Sequence, residues 1–132
     1  MPLSPQFTNI FFDLDGTLVD SRAGIQFAVE AALKSCGRKS VDMAPFIGPP
    51  IRKIFTAILG DVPDMEELVA AYRSSYDNGG WKLTTLHAGA SELLASLSDR
   101  PVFLVTNKPR RPTDDILRMF GLLKYFHFVA RH

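Results

Sequence analysis

The chain has 132 residues, 46% of them apolar, and its 15 Lys plus Arg against 14 Asp plus Glu leave a formal charge of +1. That balance excludes a protein whose affinity for nucleic acid or a membrane surface rests on a field of one sign, and 10 Phe, 3 Tyr and one Trp exclude a disordered chain. The lone Cys36 allows no internal disulfide, and one Cys beside three scattered His gives no zinc-ligand spacing, so an intracellular redox compartment is expected.

Met1–Gln6 carries no charged segment leading into an apolar core, and no apolar run approaches the roughly 18 residues of a bilayer span, so the cytoplasm is the expected location. Asn9–Asp13 is a nearly continuous apolar run closed by a carboxylate; it predicts a buried strand, turned at Gly16. Beyond Asp20 and Ser21, either able to cap a helix, Ile25, Val29, Ala32, Leu33 and Cys36 recur at spacings of three and four until Gly37. Gly48-Pro49-Pro50 breaks the chain before a second helix with Ile51, Ile54, Phe55 and Ile58, ended by Gly60. A third helix starts near Pro63 and places Met65, Leu68, Val69, Tyr72 and Tyr76 on its apolar side. Asp64, Glu66 and Glu67 fill its first turn, where the helix dipole favours acids, and Asn78-Gly79-Gly80 ends it. Leu93, Leu94 and Leu97 mark a fourth helix. It leads into a second strand, Val102–Thr106, predicted like the first to be covered on both faces. Pro112 opens a fifth helix with Ile116, Leu117 and Phe120 before Gly121, and Phe126–Ala130 is a short third strand. The alternation predicts an α/β fold, a partial parallel sheet core. Because residues 22–86 hold only helices, they predict an inserted helical domain, with the core formed by 1–21 and 87–132 and hinges near Ser21 and Leu86.

In an extended strand Asp13 and Asp15 point to the same side, and the bend at Gly16 lifts both out of the carboxyl end of the sheet. Parallel sheets gather ligands at that end, and Thr106 closes the second strand there. Two carboxylates and a hydroxyl suit phosphoryl transfer: one carboxylate attacks phosphorus, the other protonates the leaving oxygen, and a divalent cation offsets the repulsion between attacker and phosphate. An isolated Asp at a strand end is more often a turn former or cap. The composite Asp13-Leu14-Asp15-Gly16-Thr17-Leu18-Val19-Asp20, set between an apolar strand and a capped helix, shifts that balance.

The stretch Phe11–Ser21 and the later Val105-Thr106-Asn107-Lys108-Pro109 resemble the first and second motifs of the haloacid dehalogenase-like hydrolases, most closely the phosphoglycolate phosphatase-like branch. The first motif is highly specific, the second weak by itself. The likeness spans essentially the whole chain, since the helical insert resembles that branch's cap domain. It implies that Asp13 is a nucleophile forming an aspartyl-phosphate and Asp15 the acid and base. Thr106 and the Asn107 amide would hold phosphoryl oxygens, with the Gly16 turn beside them. The Asp13 side chain and the Asp15 main-chain carbonyl would bind Mg²⁺, and a small phosphorylated metabolite would be the substrate. An acid at the second position points to phosphatase or phosphomutase chemistry rather than to dehalogenation or ion transport.

The family pattern continues with a lysine that pairs with the nucleophile and a Gly-Asp segment that completes the metal site; neither follows in this chain. On that basis turnover is expected to be depressed on the order of 10⁴-fold, by analogy with losing two preorganised charged groups. A catalytically silent remnant acting in binding or association, and a sugar phosphomutase, are the alternatives. The first strand, with Ile10, Phe11 and Phe12, would lack a neighbour on one side. Association through that edge is therefore expected, with another copy, a swapped element or a missing polypeptide. Among weaker candidates, Arg52 and Lys53 are placed to meet a second anionic group of the substrate, although solvated charge is the plainer reading. Lys108, Arg110 and Arg111 form a small basic cluster able to attract phosphate. His87 and Trp81 are assigned to the hinge.

Overall fold

The computed structural model describes residues 9–41 and 49–131. Gly48 and the N-terminal Met1–Gln6 lie outside the described residues. In chain order the elements run β1 (Ile10–Phe12), β2 (Val19–Asp20), α1 (Arg22–Ser35), α2 (Ile51–Leu59) and α3 (Met65–Asn78). A 3₁₀ turn, Gly80–Leu83, precedes β3 (Thr85–Leu86), α4 (Ala90–Ser96), β4 (Val102–Val105) and α5 (Arg110–Met119); a second, Leu123–Tyr125, precedes β5 (Phe128–Ala130). None of the described helices is long and apolar enough to cross a membrane. The chain divides into two compact units: residues up to Asp20 together with those from Leu86 onward, and Ser21–Thr85.

The first unit is an α/β layer. Its sheet has the order β1-β4-β5, all parallel, with Phe11 level with Phe103 and Phe103 level with Phe128. Period-two alternation divides β4: Val102 and Leu104 are buried, whereas Phe103 and Val105 point the other way and Val105 is half exposed. On that second face Phe11 stacks on Phe103 with ring centroids 5.1 Å apart, and Phe11 and Phe128 are 66% and 62% exposed. The expectation that these strands are covered on both faces therefore fails. A short apolar run reads identically whether its second face is covered or bare, so periodicity does not reveal the difference. Among the described residues β1 is an edge strand of this sheet, as its sequence context suggested.

The second unit is a helical cluster. Ile25, Val29 and Leu33 of α1 pack with Ile54 and Phe55 of α2 and with Leu68, Val69 and Tyr76 of α3. The α1 set recurs every four residues, and with the partly buried Ile51, Ile58, Met65 and Tyr72 packed against the cluster the α2 and α3 sets also fill out the three-and-four spacing that lines one helix face. The Phe55 ring meets Tyr72 edge-on at 6.5 Å, and Tyr72 stacks on Tyr76 at 5.6 Å. Asp64, at the N-terminus of α3, makes no capping bond. Its carboxylate instead accepts Arg38 Nε at 3.0 Å and a second guanidinium nitrogen at 2.6 Å. That bidentate bond holds the Asp64 carboxyl below its ordinary value, partial desolvation opposing it. A depressed carboxyl adds stability above the unfolded-state value of about 4, and that stability fades as pH falls through the lower folded value. Wild type should therefore melt above Asp64→Asn at neutral pH, and the gap should close on acidification below about pH 4. Melting curves across that range, in low salt, check it.

Candidate active site

The first unit places its chemistry at the carboxyl ends of β1 and β4. Phe12 is level with Leu104, so the chain leaves β1 at Asp13 beside the point where it leaves β4 toward Thr106. A tight turn follows at once: the Leu14 carbonyl accepts the N–H groups of Thr17, Leu18 and Val19 at 3.2, 3.0 and 3.2 Å, and the Gly16 N–H donates to Val19 at 2.8 Å. Gly16 sits at φ +80°, the left-handed region open to glycine, and this reversal is what a side chain at that position would strain. The turn leaves Asp13 exposed, one carboxylate oxygen accepting the Leu14 N–H at 2.8 Å. Asp15 is partly buried, and its Oδ1 is buried without a hydrogen-bond partner among the described residues.

On the neighbouring loop the Thr106 N–H donates to Ala130 of β5 at 2.9 Å, continuing the sheet one residue past β4. The Thr106 hydroxyl is buried and accepts the Lys108 N–H at 3.2 Å. Pro109 then caps α5, which begins two residues earlier than the apolar spacing suggested. Pro112 lies inside its first turn, where no N–H is required. Lys108 is buried, and its ammonium reaches across to Asp15 Oδ2 at 3.4 Å. Asn107 is exposed beside it. Thus Asp13, Asp15, Gly16, Thr106, Asn107 and Lys108 all lie on the two loops at one end of the sheet.

Two residues that sequence reasoning passed over support this arrangement. The buried Thr113 hydroxyl donates to the Pro109 carbonyl at 2.8 Å and lies 3.4 Å from the Lys108 carbonyl, fixing the start of α5. A Thr in the first turn after a proline is a weak signal for such back-bonding. Arg131, just past β5, lies 2.9 Å from Asp114 of α5 and also donates to the Val129 carbonyl at 2.8 Å, tying the third strand to the helix. On the helical unit Arg52 forms a bidentate, exposed pair with Glu66, so its guanidinium already has a carboxylate. Lys53 and His87 are exposed.

Asp13 and Asp15 are hard oxygen donors, and no group of three or more Asp, Glu, His or Cys suited to a metal occurs among the described residues. Mg²⁺ keeps several waters and binds through one or two carboxylates plus phosphate oxygens, so this sparse donor set fits it and no softer metal. Residues 10–132 match a family model described as haloacid dehalogenase-like hydrolase. The chain is 38% identical over 133 residues to the tyrosine-protein kinase PtkA of Mycobacterium tuberculosis, covering 96% of this chain and 44% of that one. It is 32% identical over 131 residues to a phosphoglycolate phosphatase of Photobacterium profundum, covering 89% and 57%. A solved haloacid dehalogenase-like family protein from Streptococcus pneumoniae superposes with a TM-score of 0.88 at 33% identity, over 95% of this chain and 61% of that chain. The chain thus spans about half the length of the curated relatives it matches.

Proposed function

From the premise that the chain belongs to the haloacid dehalogenase-like hydrolases, we propose that it serves a phosphatase acting on a small phosphate monoester, phosphoglycolate-like in size and charge, through an aspartyl-phosphate at Asp13. One observation carries this reading. Two carboxylates, one exposed and one partly buried, leave the end of β1 beside Thr106 at the end of β4, and a buried lysine joins the two loops. An Asp13 oxygen attacks phosphorus while the ester P–O bond breaks and Asp15 gives its proton to the departing alkoxide. A water then gives a proton to Asp15, and its oxygen bonds to phosphorus. The bond to Asp13 breaks, its electron pair returns to that carboxylate, and orthophosphate leaves. Thr106 and the Asn107 N–H supply donors to the phosphoryl oxygens. The Asp13 side chain and the Asp15 carbonyl would hold Mg²⁺, which when bound offsets the negative charge of attacker and phosphate.

The relatives' names include a phosphatase and a kinase, so the phosphoryl acceptor is what must be measured. With phosphoglycolate and Mg²⁺, the expected result is slow release of orthophosphate, on the order of 10⁴-fold below a site that holds all of the family's charged groups. Delivery of the phosphoryl group to a second sugar hydroxyl or to tyrosine would replace the phosphatase reading, and absence of any capture at Asp13 would leave a binding role.

The 132-residue polypeptide is also expected to pair with a second copy through the face bearing Phe11 and Phe128. Few repulsive charges oppose this at a net charge of +1, and among the described residues no strand pairs with the outer edge of β1 beside that face. Light scattering at micromolar concentration should give a mass above the monomer, reduced by Phe11→Lys; a monomeric wild type rejects the association.

A further inference from the structure

We infer that Lys108 is a positioning residue: its side chain and its peptide together tie the loop carrying Asp15 to the loop carrying Thr106. The inference rests on the phosphatase reading and gives one of its residues a different task, since a lysine in this motif would otherwise be taken for a phosphate ligand. Three bonds made by one residue carry it. The ammonium lies 3.4 Å from Asp15 Oδ2, the N–H donates to the Thr106 hydroxyl at 3.2 Å, and the carbonyl faces the Thr113 hydroxyl at 3.4 Å. The Lys108 side chain is only 6% exposed and that of Asp15 18%, so the charge is turned into the protein and toward a carboxylate. Arg110 and Arg111, the other members of the basic cluster, are exposed and remain the groups that attract an anion from solvent.

Burying an ammonium is costly unless a counter-charge meets it, and Asp15 is that counter-charge. The pairing also fixes how Asp15 is turned: Oδ2 is engaged by the lysine, and Oδ1 is buried without a hydrogen-bond partner among the described residues. Lys108 therefore acts through Asp15 by aiming it, and capture of phosphorus by Asp13 does not depend on it when the leaving group needs no proton.

Acetyl phosphate with Mg²⁺ is the probe, because its leaving group departs without an acid. Intact mass and peptide mapping follow formation and decay of the adduct on Asp13 in wild type, Lys108→Met, Lys108→Arg, Asp15→Asn and the double variant Lys108→Met with Asp15→Asn. The expected result is a split: Lys108→Met forms the adduct at a rate within about threefold of wild type but prolongs its lifetime about tenfold or more, a fraction of the 10²–10⁴ available to general acid–base catalysis. Lys108→Arg should restore decay, and the double variant should decay no more slowly than Asp15→Asn alone, since groups acting as a unit are not additive. Loss of adduct formation in Lys108→Met would make the lysine a phosphate ligand. A parallel fall in both steps, with additive effects on the Asp15→Asn background and no rescue by arginine, would make it merely structural; either result overturns the inference. If wild type forms no adduct on Asp13, the phosphatase reading itself falls, which is a different outcome from a wild type that is captured and a lysine variant that decays normally.

Discussion

Asp13→Asn is expected to abolish capture of a phosphoryl group, by at least about 10³-fold, while leaving the fold intact. The amide nitrogen lone pair is delocalised and the amide oxygen carries no full charge, so neither atom attacks phosphorus as a carboxylate does. The structural cost is small because Asp13 is exposed and its recorded bond is the one its Oδ1 accepts from the Leu14 N–H at 2.8 Å, which an amide oxygen accepts equally well. Exposed substitutions of this kind usually stay within about 0.5 kcal/mol in stability. Intact mass after incubation with acetyl phosphate, and fluorine NMR of a beryllofluoride adduct, read the capture; circular dichroism melting reads the fold. Asp15→Asn separates the two carboxylates. It should still be captured and then decay on the order of 10²–10⁴ more slowly, the usual contribution of a general acid and base. Full capture in Asp13→Asn would remove Asp13 from the role of nucleophile, and equal loss of capture in Asp15→Asn would overturn the separate role given to Asp15.

How much of this was legible before any coordinates depended on whether the cause was local. Asp13, Asp15 and Gly16 announce themselves because an apolar strand ending in a carboxylate, followed by the residue that tolerates φ +80°, has one simple geometry. The helices of Ser21–Thr85 follow from three-and-four spacing between glycine and proline stops, and α1, α2 and α3 begin and end within a few residues of those signals. Non-local causes left no such trace. That Lys108 turns inward to Asp15 depends on two loops 93 positions apart in numbering meeting at one sheet end, and nothing in Thr106-Asn107-Lys108 distinguishes it from a lysine facing solvent. The Arg52–Glu66 pair, two residues fourteen positions apart, likewise left no mark in the sequence around either of them. The bare face at Phe11 and Phe128 was invisible for the opposite reason: an apolar side chain reports that it seeks cover, not whether cover is present.

Gly24→Ala should destabilise the helical unit, although helix propensity alone favours alanine over glycine by about 1 kcal/mol in a helix interior. Gly24 lies in the first turn of α1, and a Cβ built there would sit 2.2 Å from the Gly80 carbonyl oxygen and 3.0 Å from its carbon. Neither atom belongs to a movable side chain, so relief requires α1 and the Gly80–Leu83 turn to separate by roughly an ångström, which opens voids around close-packed neighbours such as Tyr76. Overpacking of this kind costs about 1–3 kcal/mol and occasionally more, and a clash with backbone belongs at the upper end. The steric cost therefore outweighs the propensity gain, and a net loss of about 2 kcal/mol is expected. Gly79→Ala is the control: φ is −170°, which any residue adopts, nothing lies within 4 Å of an added Cβ, and the variant should be neutral or slightly stabilising through the unfolded chain. Urea titration of both variants, read by tyrosine and tryptophan fluorescence because Tyr72, Tyr76 and Trp81 lie in or against this cluster, distinguishes them. A Gly24→Ala protein as stable as wild type would mean that α1 and the Gly80 turn approach less closely in solution than the 2.2 Å contact implies.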